Sequence, residues 1–466
     1  MLYIDFDAKK PIYQQLYESL TNQIISGLLQ VGTRLPATRQ LAAELRISRN
    51  TVNRVYQQLI SEGYAISRQS SGIYVNQFDG GLHRKQNQIS CQAPADTPEP
   101  KYDFYYGTSN ESVFLYNEWE KSISDALALL RARPIRNYPR RQGELFLLKA
   151  IAQYLYQDRG VQCTPEQILL TCGHAQSMEI LATLMRPRCD SFGMENPGYD
   201  VTREIFARNR FRIVPIPVKA DGIALEAVTN GDCRLLYLTP SHQFPTGAIL
   251  SVAKRQQLLD WAAKADAYLI EDDYDSKLRY DCRPLPSLQS LDQHNKVIYT
   301  GTFSKSVSPT LRVGYLVLPP ELLHAYEERY GLYQVQVSVL IQYALAIFIR
   351  NGSFEKQIRC LRTYYHNQRD ALIRAINEAF HDRALIYGAD TGMHILLELQ
   401  DAADTDTLLA SAQKIGIRLY PTQNFYADGR CPKKTLFLLG FGTVPREKMD
   451  EIFAALEKQW RADGCI

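Results

Sequence analysis

A break in the pattern divides this chain before any fold can be assigned to it. From about Gln77 to Pro100 the sequence is polar, carries Pro94, Pro98, Pro100 and the glycine pair 80–81, and shows no apolar periodicity. Such a stretch reads as a flexible linker, assigned here to residues 77–101. The whole chain of 466 residues exceeds what one core usually supports, so units of 1–76 and 102–466 are expected, the second large enough to split again. The charge follows the same division. The net +3 resides in residues 1–76, with eight Lys/Arg against five Asp/Glu, and residues 77–466 sum to zero. A small basic unit on a large neutral one suggests a polyanionic partner for the first alone.

Other functional classes drop out. No apolar run approaches the roughly 18 residues needed to span a bilayer, since Gln334, Gln336 and Gln342 interrupt the richest stretch, Tyr333 to Ile349. The start, MLYIDFDAKK, lacks the layout of a secretory signal. Nine cysteines, none closer than nine positions to another, exclude CxxC metal or redox spacing. They point to reduced thiols and a cytoplasmic location, and no metal site is expected.

Residues 11–76 read as three helices and a hairpin. Pro11 opens the first helix, Ile12, Leu16, Leu20, Ile24 and Ile25 recur at helical spacing, and Gly27 stops it. A short second helix from about Thr38 to Leu45 takes Thr38 as its cap. The third starts at the N-cap Ser48, with Val52, Val55, Tyr56, Leu59 and Ile60 on one face. Two β segments, Ala65 to Arg68 and Ile73 to Val75, flank a polar turn. The third helix has the layout of a recognition helix. Arg49, Asn50, Asn53 and Arg54 lie on its polar face, and Arg and Asn distinguish base edges in a major groove. Its first turn, through Thr51, is where groove-entering residues sit. Arg39 can hold a phosphate, and the tip Ser71-Gly72 is short enough for a minor groove.

The remainder alternates helices with short apolar strands: Ile168–Thr171, Arg234–Leu238, Ala267–Ile270, Lys296–Tyr299 and Arg312–Leu318. That alternation means an α/β sheet covered on both faces, over about residues 130–345. From about 350 to 466 a long helix, a strand near His394–Leu399, a helix and a strand at Thr435–Leu439 suggest a smaller α+β unit.

Five segments of this part suit one cofactor. In Thr302-Phe-Ser-Lys305 the lysine can form an imine with an aldehyde if its amine is neutral. Arg312, seven residues on, can clamp a phosphate with two prongs, and Thr302 offers it a hydroxyl. Asp272, at the end of an apolar strand, can keep a pyridine nitrogen protonated. Tyr274 shares its face if the strand continues, and can donate to a phenolate oxygen. In Thr171-Cys172-Gly173-His174-Ala175-Gln176 a strand turns into a helix whose first N–H groups make an anion site. In Glu195-Asn196-Pro197-Gly198-Tyr199 the tyrosine can stack on the ring, and LTPSHQFPTG, residues 238–247, carries polar groups including His242.

The wording of both halves is specific. LPATRQLA…SRNTV…Y..L..EGY resembles the GntR winged-helix family. TCGHAQ, ENPGY, TPSHQFPTG, EDDYDSKLRY and TFSKSVSPTLRVGY resemble fold-type I aminotransferases, in the subgroup fused behind a GntR winged helix, the MocR-type regulators. The fold class implied is a winged helix-turn-helix followed by a large α/β domain and a small α+β domain. The resemblance implies a pyridoxal 5'-phosphate (PLP) cofactor on Lys305 as a Schiff base, with Asp272 at the pyridine nitrogen, Tyr274 at O3' and Arg312 at the phosphate. It implies double-stranded operator DNA as partner, read by Arg39, Ser48, Arg49, Asn50 and Asn53 with Ser71 and Gly72 in the wing. It also implies a homodimer with exchanged winged helices.

Two positions depart from the aminotransferase pattern. Leu438 falls where an arginine binds the substrate's α-carboxylate, and Phe244 where many such enzymes place an asparagine. Arg430, Lys433 and Lys434 lie near enough in sequence to compensate. Losing a desolvated charged pair costs about 2–5 kcal/mol of binding. The expectation is therefore a regulator whose aminotransferase-like domain senses an effector, PLP itself or a small amino compound, with at most residual transaminase activity.

Overall fold

The computed structural model describes residues 10–69, 71–77, 99–107, 110–132, 140–280, 285–427, 429 and 434–466. Most of the 77–101 linker, together with Arg430 and Lys433, lies outside the described residues. The chain divides into two compact units, Met1–Thr97 and Pro98–Ile466.

In the first unit, α1 (Ile12–Ile25) buries Leu16, Leu20 and Ile24. It packs on α3 (Arg49–Ser61), which buries Val52, Val55, Tyr56 and Leu59. Between them lies α2 (Thr38–Glu44), a two-turn helix capped by Ala37 rather than Thr38. Thr38 is instead the first helical residue, and its hydroxyl donates to Asn53 Oδ1 at 2.9 Å, so the short helix is pinned to α3 by a side chain. Strands β1 (Ala65–Arg68) and β2 (Gly72–Val75) pair antiparallel with Ala65 opposite Val75. The second begins one residue earlier than its β-branched residues indicate, because Gly72, at φ +119°, already lies in the ladder. Three helices and a hairpin of this order make a winged helix.

The second unit is built on an eight-stranded sheet. Its order is Ile168–Thr171, Gly314–Val317, Val297–Thr302, Tyr268–Asp272, Leu235–Leu238, Ser191–Asn196, Arg212–Lys219 and Gly222–Ile223. The five strands from Val297–Thr302 to Arg212–Lys219 run parallel. The strand Gly314–Val317 runs against both its neighbours. Tyr268–Asp272 is buried at every residue, as a strand covered by helices on both faces must be. A four-stranded antiparallel sheet follows in the order Ala384–Tyr387, His394–Leu399, Thr435–Gly440 and Tyr420–Pro421. Two expected elements need correction. Arg312 does not open a strand; it stands before it with φ +50°. The strand of Asp272 ends at that residue, so Tyr274 reaches the same side through a turn rather than by alternation. No helix among the described residues is long and apolar enough to cross a membrane, and the six cysteines among them are free.

Candidate cofactor site and DNA-reading face

In an open parallel sheet the carboxyl ends of the strands face a crevice where the chain leaves in different directions. A cavity of about 380 Å³ lies there. It is bordered by Asp272 at the end of one strand, Thr302 at the end of the next, Thr239 after a third, and Lys305 in the turn beyond Thr302. Lys305 Nζ donates to the carbonyl of Gly107 at 2.7 Å. Burial lowers the amine to about 8, against the opposing pull of Asp275.

At one end of the cavity the helix His174–Met185 starts from Gly173, whose φ is +92°. A Cβ on Gly173 would come within 2.7 Å of Arg312 Nη2, so only glycine lets the guanidinium lie against the helix start. Ala175, Thr302, Ser304 and Arg312 border this end. Thr302 Oγ1 accepts from Ser304 N–H at 3.0 Å, while Ser304 Oγ is buried without a partner. A guanidinium, a hydroxyl and helix N–H groups together form an anion site.

At the other end stands Asp272. Tyr237 donates to its Oδ2 at 2.5 Å, and His174 Nδ1 lies 3.4 Å from the same oxygen. Burial pushes this carboxyl up, and His174 and Tyr237 pull it back. Its neighbours in the acidic run behave differently. Asp273 pairs with Arg159 at 2.8 Å, and despite burial the charges of Arg159 and Lys277 hold it down to about 2. Glu271 points away, accepting from the N–H groups of Leu288 and Gln289 at 2.9 Å each. Three consecutive carboxylates therefore have three separate environments, and only Asp272 borders the cavity.

Tyr199 and Tyr274 also border the cavity, but His242 does not. It is fully enclosed behind Tyr274, whose hydroxyl lies 3.1 Å from both its Nδ1 and its carbonyl oxygen. Several bordering residues had no separate sequence signal: Tyr106, Gly107, Tyr237, Ser304 and His394. Ser304 sits inside the lysine motif, and His394 opens a strand in which Glu398 is the other polar residue. Leu438 is fully buried with Phe244 and Phe425, against Tyr106, Tyr199 and Tyr274. Lys434 is engaged elsewhere, with its Nζ 2.9 Å from Glu398 Oε1.

On α3, Ser48 accepts from Thr51 N–H at 3.0 Å, a cap worth about 1 kcal/mol that also fixes the helix start. Ser48, Arg49, Asn50 and Asn53 are exposed, as is Arg39 on α2. The Thr38 bond orients the Asn53 carboxamide. Arg54 is exposed as well, and its guanidinium lies over the Tyr13 ring at 4.5 Å. In the wing, the hydroxyls of Ser71 and Tyr74 meet at 2.6 Å, and Gly72 lies against Arg34.

Comparison with known proteins agrees with both halves. Residues 105–456 match the family described as aminotransferase class I and II, and residues 12–75 match the bacterial regulatory proteins of the gntR family. The chain is 39% identical to the HTH-type transcriptional regulator YdeL of Bacillus subtilis, over 97% of each. It is 32% identical to the probable rhizopine catabolism regulatory protein MocR of Rhizobium meliloti, covering 99% of this chain and 96% of that one. It is also 32% identical to PdxR of Corynebacterium glutamicum, an HTH-type pyridoxine biosynthesis transcriptional regulator, over 95% and 94%. Among solved structures, a multiple substrate aminotransferase from Thermococcus profundus superposes with a TM-score of 0.70 at 22% identity, over 79% of this chain and 93% of that one. The chain therefore belongs to the MocR-type transcriptional regulators, in which a gntR-family winged helix is joined to an aminotransferase class I and II domain.

Proposed function

We propose that this regulator binds PLP at Lys305 and responds to PLP itself, so that its operator affinity reports the supply of the cofactor. The cavity residues fit the group. A phosphate suits the guanidinium and helix start that Gly173 brings together, and the Ser304 hydroxyl stands unpartnered beside them. A pyridine nitrogen suits Asp272 at the other end. When bound, PLP supplies an aldehyde that captures an amine and a ring that withdraws electrons.

The chain's own residues divide the remaining work. Lys305 presents an amine that burial keeps closer to neutral than an ordinary lysine, which is the form that attacks a carbonyl. Asp272, whose Oδ2 is steadied by Tyr237 and His174, would hold a proton at the ring nitrogen. Arg312 and Thr302 would hold the phosphate, Tyr199 would lie beside the ring, and Tyr274 would offer its hydroxyl to the phenolic oxygen. His174 stays neutral because burial lowers it, which lets it accept or donate without adding charge.

The observation that carries the effector reading is Leu438. It is fully buried in an apolar cluster with Phe244 and Phe425, so an amino acid placed there would lose water from its carboxylate without gaining a cation. Among the described residues bordering the cavity, Lys305 and Arg312 are the only lysine and arginine, and burial lowers the two histidines there, His174 and His394. PdxR, whose name ties it to pyridoxine biosynthesis, supports the same reading by its 32% identity. Two winged helices in a homodimer would then read two half-sites, and PLP would shift the population between dimer arrangements.

The test is a titration of an operator fragment with protein purified free of PLP. PLP should change affinity and footprint, and amino acids should not. An unchanged complex with PLP, together with a change on adding an amino acid, would refute the reading. Turnover of amino acid and keto acid pairs at the rate of ordinary aminotransferases would point instead to an enzyme carrying a DNA anchor.

A further inference from the structure

Behind Tyr274 lies a buried set of side chains that touches no part of the cavity wall except through its ends. Asp275 Oδ2 is 2.7 Å from His242 Nδ1. The Tyr274 hydroxyl is 3.1 Å from that nitrogen and 3.1 Å from the His242 carbonyl oxygen. The His242 ring stacks on His394, with centroids 4.9 Å apart and planes at 30°. Packing around the pair is tight: a Cβ on Gly392 would stand 2.3 Å from His242 Cε1 and 2.4 Å from Asp275 Oδ2. Gly392, at φ +80°, is thus the residue that admits the pair.

His242, Asp275 and His394 are also the kind of donor set that holds a metal. Here the carboxylate engages Nδ1 directly, at 2.7 Å. The same distance fixes the tautomer. A carboxylate oxygen accepts, so the proton between them is carried by Nδ1, while Nε2 is buried without a partner. Tyr274 then cannot donate to Nδ1, and its proton goes to the His242 carbonyl or into the cavity. The Nδ1–H, lying 3.1 Å from the tyrosine oxygen, makes that oxygen a better-stabilised donor.

We propose that His242, oriented by Asp275, is a positioning residue that aims and polarises the Tyr274 hydroxyl, and so sets how strongly Tyr274 donates to a cofactor's phenolic oxygen. This rests on the reading that Tyr274 faces that oxygen. The charged and titratable groups around Tyr274 are Asp272, Glu195, Tyr237 and Asp275, and those beside His394 are His242 and Lys305. None of them except Asp275 meets the His242 ring nitrogen at hydrogen-bond distance. Without the imidazole, Tyr274 donates more weakly, the phenolic oxygen keeps more negative charge, and a neighbouring proton is held more tightly.

The experiment compares two amides at position 242 in the PLP-loaded, full-length protein. His242→Asn places its N–H where Nδ1–H stands, and His242→Gln places it at the Nε2 position. The midpoint pH of the visible absorption change is measured for each, alone and with Tyr274→Phe. The midpoint should rise by about one pH unit, a tenfold tighter proton, in His242→Gln and stay near wild type in His242→Asn. With Tyr274→Phe the two should no longer differ. Equal midpoints for the two amides, or a difference that survives Tyr274→Phe, would overturn the inference. Loss of the PLP reading has its own signature: no visible band in the wild type that Lys305→Ala removes.

Discussion

Capture of PLP by the protein should accelerate with pH only up to about 8, because burial lowers the Lys305 amine to about that value from an ordinary 10.5. The attacking form is the neutral amine. At pH 7 a group titrating near 8 is roughly 10% neutral, whereas an ordinary lysine is roughly 0.03% neutral, a gap of about 300-fold. The structural cause is the loss of water around Nζ, which keeps one partner, the Gly107 carbonyl at 2.7 Å, with Asp275 offsetting part of the effect. The assay is stopped-flow absorbance on protein freed of PLP, with Lys305→Ala subtracted to remove capture by surface lysines. The rate should climb about tenfold per pH unit below 7 and flatten near 8. A rise that continues unbroken to pH 10 would show an ordinary solvated amine and refute the argument. So would a signal unchanged in Lys305→Ala.

Gly173→Ala must adopt φ +92° and push Arg312 aside, so PLP affinity measured by fluorescence titration should fall at least tenfold with little loss of secondary structure. Arg159→Met leaves Asp273 buried without its cation, which should cost about 3–5 kcal/mol in denaturant unfolding. The folded carboxyl of Asp273 is depressed to about 2, so the stabilisation it brings is present above its unfolded value and fades as pH falls towards 2. Wild type should therefore lose its margin over Arg159→Met across that acid range. Arg49→Ala should weaken operator binding by about 1–3 kcal/mol in a fluorescence anisotropy assay while leaving the PLP spectrum unchanged. An equal loss on an unrelated DNA sequence would reassign Arg49 to backbone contact.

Elements whose signal is local are legible in the residues alone. Helical spacing and the Ser48 cap placed α1 and α3, because an apolar stripe and a cap need no distant partner. The runs at Ile168–Thr171 and His394–Leu399 coincide with strands since both are buried along their full length. Lys305, Asp272, Tyr274 and Arg312 could be singled out from motif wording, and the structure brings all four to one cavity. Which neighbour each polar group meets depends instead on the folded arrangement. Nothing local distinguishes Asp272 from Asp273, yet one faces Tyr237 and His174 and the other Arg159, contributed from 114 positions away. Arg54 stands exposed on the polar face of its helix, and the ring beneath its guanidinium is Tyr13 of another helix. His242 looks like a cavity residue but stands behind Tyr274, because a glycine in the smaller sheet's domain leaves room for it there. Burial and charge at a site are sums over segments far apart in the chain, and only the folded arrangement completes them.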